Sequence, residues 1–355
     1  MKNNNLKARV IAFYLPQYHP IEENNKWWGK GFTEWTNVGK AKPLFEGHNQ
    51  PKLPTDLGYY DLRVKETKQE QVKLAKEYGI EAFCYWHYWF AGKQLLERPF
   101  QEVVRDKEID FPFCLGWANQ TWSGIWHGAP DKILIEQTYP GLEDYKKHFY
   151  SLLEAFKDTR HLKVDGKLVF LIYNPKDLPD AKEFTEYWQE LALKEGLNGF
   201  HFIAHFANEA KKYGCDSCVE GAPFATMKAK AKEVKYLDTK ERPTVYEYND
   251  LVNYSKNYQL NTDENEFPLV MPNWDNTARS KGNGIVLQGS TPELFREILK
   301  NAIEKVQKSY TEEYQIIFIK AWNEWAEGNY LEPEREYGLE YLETLREELI
   351  IKNLE

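Results

Sequence analysis

Short apolar runs recur along this chain, and each is followed by a cluster of polar and aromatic residues. Runs of this length and β-branched content, bounded by turn residues, predict buried strands. We read them at Arg9–Tyr14, Ile80–Trp86, Pro112–Trp117, Lys167–Tyr173, Gly199–His205, Cys215–Val219, Leu269–Val270 and Ile316–Ile319. Between them lie segments of helical period: Lys65–Tyr78, Glu97–Lys107, Leu142–Lys157, Ala181–Lys194, a short one at Asn208–Tyr213, then Tyr246–Asn257, Thr291–Lys308 and Leu339–Ile350. The residues from Leu15 to Tyr60 and a lysine-rich stretch before Tyr246 read as loops. The long first loop, rich in Trp, Gly, Asn and Pro, predicts a binding segment more than a linker.

Strands alternating with helices around the chain predict a (β/α)8 TIM-type barrel with long βα loops, in the α/β class. No internal linker divides it, so residues 1–355 are read as one barrel domain. A doubly wound open sheet is the alternative, but no G-x-G-x-x-G follows the first strand. The polar and aromatic clusters fall just after the strands, on the face where barrel enzymes place their sites. They supply Tyr14, Trp86, His87, Trp117, Asn119, Tyr173, His205, Trp274 and Asp275 as candidate substrate contacts, and the first loop adds Glu34 and Trp35.

The densest cluster follows the last strand: Trp322-Asn323-Glu324-Trp325-Ala326-Glu327-Gly328. Two carboxylates beside two indoles are the material for acid–base work on a glycosidic bond, because one carboxyl must give a proton while another takes one. An E-x-x-E pair is also common on solvated helix faces, yet such a face would not carry two Trp, and Gly328 and Pro333 oppose a long helix. On an extended strand, residues three apart face opposite sides. Both glutamates reach one substrate only if the chain turns after Asn323. Trp322 or Trp325 packed behind Glu327 would make Glu327 the carboxyl with the raised pKa. Tyr14 and Tyr173 are expected to hydrogen-bond one of the pair.

Composition sharpens this picture. Aromatic residues make up 15% of the chain, with 12 Trp and 23 Tyr, more than a core requires and suited to stacking on sugar faces. A formal charge of −9 without a long basic stretch argues against nucleic-acid binding. No run approaches the length of a membrane span, and the polar start MKNNNLKARV lacks the apolar segment of a secretory signal, so a cytoplasmic location is expected. Cys84 and Cys114 sit in strand-like runs as core residues. Cys215 and Cys218 form a C-x-x-C with no second pair to complete a metal site, so neither metal nor cofactor is expected.

The segments AFYLPQYHP, GFTEWTNV, CYWHYWF, WANQTW and WNEWAEGNYLEP together resemble the WbsX-type proteins over nearly the whole chain. These are described as polysaccharide-biosynthesis glycosyltransferases and as glycoside hydrolase family 99-like. The resemblance implies a barrel related to endo-acting α-mannosidases, with Glu324 and Glu327 at the positions of the two catalytic carboxylates. It implies retention without a carboxylate nucleophile: Glu324 takes the proton of the sugar 2-hydroxyl, whose oxygen closes on C1 as a 1,2-anhydro sugar. Glu327 protonates the leaving oxygen and then deprotonates the acceptor. An oligo- or polysaccharide substrate, mannose-configured by analogy, fits this reading. A sugar-nucleotide-dependent glycosyltransferase of O-antigen, lipopolysaccharide or capsule assembly is the alternative. An inactive sugar-binding barrel is the third.

Overall fold

The computed structural model describes residues 6–124, 129–221, 223–225, 227, 229–237 and 240–351; the extreme N-terminus and parts of the lysine-rich stretch lie outside these. Eight parallel strands form the centre: β1 (Arg9–Tyr14), β2 (Ala82–Phe90), β3 (Phe113–Trp117), β4 (Lys167–Ile172), β5 (Phe200–Ala204), β6 (Ser217–Val219), β7 and β8 (Ile316–Ile319). The seventh is interrupted. Glu266–Phe267 pairs with β6, Leu269–Val270 pairs with β8, and Pro268 stands between the halves. The Pro268 carbonyl still accepts from the Phe318 N–H, at 3.0 Å, so the two ends of the sheet meet across this one residue. β8 returns to β1 in the register Arg9↔Ile316, which closes the barrel.

The central strands are buried along almost their whole length because the barrel interior covers one face and helices cover the other. That double burial is why they read as continuous apolar runs rather than alternating ones. The outer helices are α1 (Lys65–Glu77), α2 (Arg98–Arg105), α3 (Leu142–Ser151), α4 (Ala181–Lys194), α5 (Tyr248–Asn257), α6 (Pro292–Ser309) and α7 (Glu340–Leu349). Their starts follow sequence rules: Asp180 accepts from the Glu183 N–H ahead of α4, and Thr291 accepts from Leu294 ahead of α6, where Pro292 needs no donor. Only a single 3-10 turn, Ala210–Tyr213, links β5 to β6.

Inside the barrel, Phe13 of β1 stacks on Trp86 of β2 with centroids 4.7 Å apart, and His205 stacks on Phe13 at 5.4 Å. This aromatic layer plugs the interior beneath the C-terminal ends of the strands.

Several expectations need correction. The first loop is not irregular throughout but holds two seven-residue helices, Glu22–Trp28 and Glu34–Lys40. β2 runs on to Phe90, because Tyr88–Phe90 pairs back with Lys93–Leu95. The segment at Tyr246 begins as a strand, Thr244–Glu247, in a small sheet with Ile285–Gln288 and Trp274–Asp275. Strands of two to four residues carry too little periodicity to be recognised in a sequence.

Candidate active site

After β8 the chain forms a compact turn. Asn323–Glu324 pairs antiparallel with Asn329–Tyr330, and one 3-10 turn, Trp325–Glu327, joins them. In a 3-10 turn residues three apart eclipse each other, so Glu324 and Glu327 come to the same side. Gly328 ends the turn at φ 53°, and a Cβ there would lie 2.8 Å from the Asp275 backbone. Asn323 moors the turn to β1: its side chain accepts from the Leu15 N–H at 2.7 Å and donates to the Leu15 carbonyl at 3.1 Å. The Tyr18 hydroxyl donates to the Asn323 carbonyl and accepts from the Trp325 N–H.

Three carboxylates surround one guanidinium. Arg279 Nη1 donates to Glu327 Oε1 at 2.7 Å and Nη2 to Glu34 Oε2 at 2.9 Å, while Glu324 Oε2 lies 3.6 Å from Nη2. A single Arg cannot neutralise three buried acids. Burial, and then the charge of Glu327, raise the Glu324 carboxyl to about 7 against the pull of Arg279 and Lys320. Glu324 Oε2 has no hydrogen-bond donor among the described residues. The group that this environment raises is Glu324. Glu324 is the deeper of the two, with a side chain 7% exposed against 12%, and the short Arg279 contact belongs to Glu327. Trp325 does not back Glu327, since its indole donates to Glu332 and its ring stacks on Tyr330 at 3.9 Å.

The three acids and Arg279 open on a pocket of about 320 Å3 whose walls include Trp28, Phe32, Trp86, Tyr88, Trp122 and Tyr173, with Gln17, Asn24, Gln120 and Lys320 as polar edges. Flat rings around a few convergent polar groups suit a carbohydrate. Thus the structure gathers Glu34, Trp86, Tyr173, Glu324 and Glu327 from the sequence candidates. Burial and the nearby glutamates hold the Tyr173 phenol far above its ordinary range.

The other candidates lie off the pocket. Tyr14 points to the outer layer, where its hydroxyl donates to Gln71 at 2.7 Å rather than to Glu324 or Glu327. Trp35 donates to the Tyr60 carbonyl at 2.8 Å and packs on Tyr18 and Trp325. His87 meets His148 at 2.7 Å in a buried pair, and burial depresses it to about 3. Trp117 packs against Phe184 of α4, and Trp322 against Phe83. Asn119 ties β3 to β4 through the Asn174 N–H and carbonyl, as Asn323 ties β8 to β1. His205 lies in the interior layer, lowered by burial to about 3.

Trp274 packs on Phe224, and the Lys320 ammonium lies over its ring, 5.2 Å from the centroid. Asp275 is a support for the arginine rather than a hydroxyl binder. It receives His48 at 2.8 Å, Gln50 at 2.7 Å and the Thr277 N–H at 3.0 Å, fixing the Thr277–Ser280 helix that carries Arg279. Burial works against its ionised form, but the His48 contact and the further donors bring its pKa below the usual value.

Sequence reasoning missed Lys320 and the pocket roles of Trp28, Phe32, Tyr88 and Trp122. Lys320 follows an apolar strand directly, a position that in a barrel faces the catalytic end, and that signal was available. The aromatic residues come from a loop helix and a hairpin whose docking no local pattern encodes. Among the described residues, no group of three or more His, Cys, Asp or Glu is arranged to hold a metal.

Residues 10–345 match the family described as Glycosyltransferase WbsX. The uncharacterised protein WxcX, from two strains of Xanthomonas campestris pv. campestris, is 36% identical over 348 residues, 97% of this chain. The chain spans about half the length of these curated relatives, 50% in each case. Among solved structures, a glycoside hydrolase-like protein aligns with TM-score 0.62 and 14% identity, covering 99% of this chain and 96% of its own. The GH99 endo-alpha-mannosidase from Bacteroides thetaiotaomicron aligns with TM-score 0.57 and 15% identity, covering 96% of this chain and 95% of its own. At these identities the structural likeness establishes the barrel fold.

Proposed function

The chain belongs to the Glycosyltransferase WbsX family, and from that premise we propose a carbohydrate-active enzyme that acts at a glycosidic bond with retention of configuration. The observation that carries this reading is the pair Glu324 and Glu327 on one turn, facing one aromatic-walled pocket, with Glu324 raised to about 7. A carboxylate whose conjugate acid has that pKa is a stronger base than an ordinary one and remains available near neutral pH.

Glu324 takes the proton from the sugar 2-hydroxyl, and the freed oxygen displaces the leaving group at C1. The leaving oxygen takes its proton from Glu327. In the second half, Glu327 removes the proton of the acceptor, which opens the 1,2-anhydro ring as Glu324 returns its proton to O2. Glu327 serves both halves only if substrate replaces its contact with Arg279; Glu34 remains to hold that arginine. The GH99 endo-alpha-mannosidase fold neighbours favour a mannose-configured substrate.

The family description favours a second reading, transfer from a sugar nucleotide. Lys320 supports it: this ammonium lines the pocket beside Glu324 and makes no ion pair among the described residues, so it is available to a leaving phosphate. Either reaction suits cytoplasmic assembly of a surface polysaccharide. No helix among the described residues is long and apolar enough to cross a membrane.

Wild type, Glu324→Gln and Glu327→Gln, incubated with mannose- and glucose-configured oligosaccharides and with activated sugars, distinguish these readings when product anomers are followed by NMR. Retained configuration, lost in both variants, is expected. Turnover of sugar nucleotides alone makes the enzyme a transferase, and full activity in both variants removes the glutamates from the mechanism.

A further inference from the structure

Beneath the catalytic turn lies a buried acid that the mechanism does not use. Glu332 is 2% exposed and forms no ion pair among the described residues. Its Oε2 accepts from the Tyr60 hydroxyl at 2.8 Å and the Trp325 indole N–H at 2.6 Å, and its Oε1 accepts from the Gln71 amide at 2.6 Å. Each donor leads elsewhere. Trp325 stands between the two catalytic glutamates in the chain. The Tyr60 hydroxyl accepts from Asn323, the residue before Glu324, at 3.3 Å. Gln71 belongs to α1 and accepts from Tyr14 of β1.

We propose that Glu332 is a positioning residue: as a three-way acceptor it fixes Trp325 and Tyr60, and through them aims Glu324 and Glu327 at the pocket. The proposal rests on the two-carboxylate reading above. A carboxylate is needed because all three partners donate, and an acid offers only acceptor sites in its ionised form. A fixed indole sets the pitch of the turn, and a displacement of about 1 Å at reacting groups costs on the order of 100-fold in rate. Burial holds the Glu332 carboxyl at about 7, so keeping it unpaired with a cation comes at the expense of stability.

The test is an exchange of functional groups. In Glu332→Gln the new amide must direct its NH2 at a donor. Turning the Gln71 amide to meet it leaves the Tyr14 hydroxyl without its acceptor. Combining Gln71→Glu with Glu332→Gln restores an acceptor for every donor, including the new one. With the full chain we expect Glu332→Gln to lower kcat by about 10-fold or more at nearly constant KM. The Glu324 midpoint, followed by carboxyl 13C NMR and identified by its loss in Glu324→Gln, should move by more than about half a unit as the turn shifts against Arg279. The double exchange should restore both. A single variant with the wild-type kcat and midpoint overturns the proposal, as does a double exchange no better than the single one. If Glu332→Gln does not fold, the double exchange decides alone, a wild-type midpoint supporting the proposal and a displaced one overturning it. Should Glu324→Gln itself leave all sugar turnover unchanged, the glycosidic reading fails while the NMR midpoint still reports on positioning.

Discussion

Glu324, the proposed base, is left short of compensation. Arg279 is shared with Glu34 and Glu327, and burial then lifts Glu324 from 4.5 to about 7. A base must be ionised, so kcat/KM should rise with pH through an apparent pKa of about 7, an ascending limb read from initial rates between pH 5 and 9. Glu324→Gln should remove that limb along with activity. The two glutamates were legible in the sequence because carboxylates beside indoles after an apolar run are an uncommon combination. That Glu324 carries a raised pKa was not legible. That depends on where one guanidinium, from a segment 48 residues upstream of Glu327, places its nitrogens.

The working element is the turn Asn323–Tyr330, and it is held by its surroundings more than by its own short pairing. Gly328 is indispensable to it: φ is 53°, and a Cβ would meet Asp275 N and O at 2.8 Å. Gly328→Ala should therefore destabilise the protein by on the order of 2 kcal/mol, measured by urea unfolding. Activity should fall as well, because moving Asp275 moves the helix that carries Arg279. The sequence indicated that the chain must turn here. It did not indicate that Asn323 and Asn119 would serve as strand-to-strand ties, since a polar residue after a strand reads equally as a ligand for substrate.

At the scale of the whole fold, three glutamates among the described residues sit in the interior with carboxyls near neutrality: Glu220, Glu324 and Glu332, each raised by burial to about 7. A carboxyl whose folded pKa lies above its unfolded value binds protons more tightly when folded, so it weakens the fold as pH rises. The loss begins near the unfolded value of 4.5 and is complete above about 7. In urea titrations the contribution of each acid, read as the stability difference between wild type and its Gln variant, should decline from pH 5 to pH 8. Glu324→Gln should be more stable than wild type at pH 8, by at most on the order of 3 kcal/mol, and nearly equal to it at pH 4. A stable but inactive variant is the expected signature of an acid kept for chemistry.

The sequence by itself determined the barrel, because strands covered on both faces must be apolar throughout and helices covered on one face must be periodic. It also singled out Glu324 and Glu327 as the candidate pair, through residue types packed into one short segment. Only the tertiary structure decided how the sheet closes, with Pro268 dividing the seventh strand between two neighbours. It also decided which aromatic residues wall the pocket and which merely pack, as Trp122 and Trp117 divide from the same WANQTW segment. The reason is physical: burial and pairing are sums over neighbours brought from distant parts of the chain, and a side chain's own identity does not specify those neighbours.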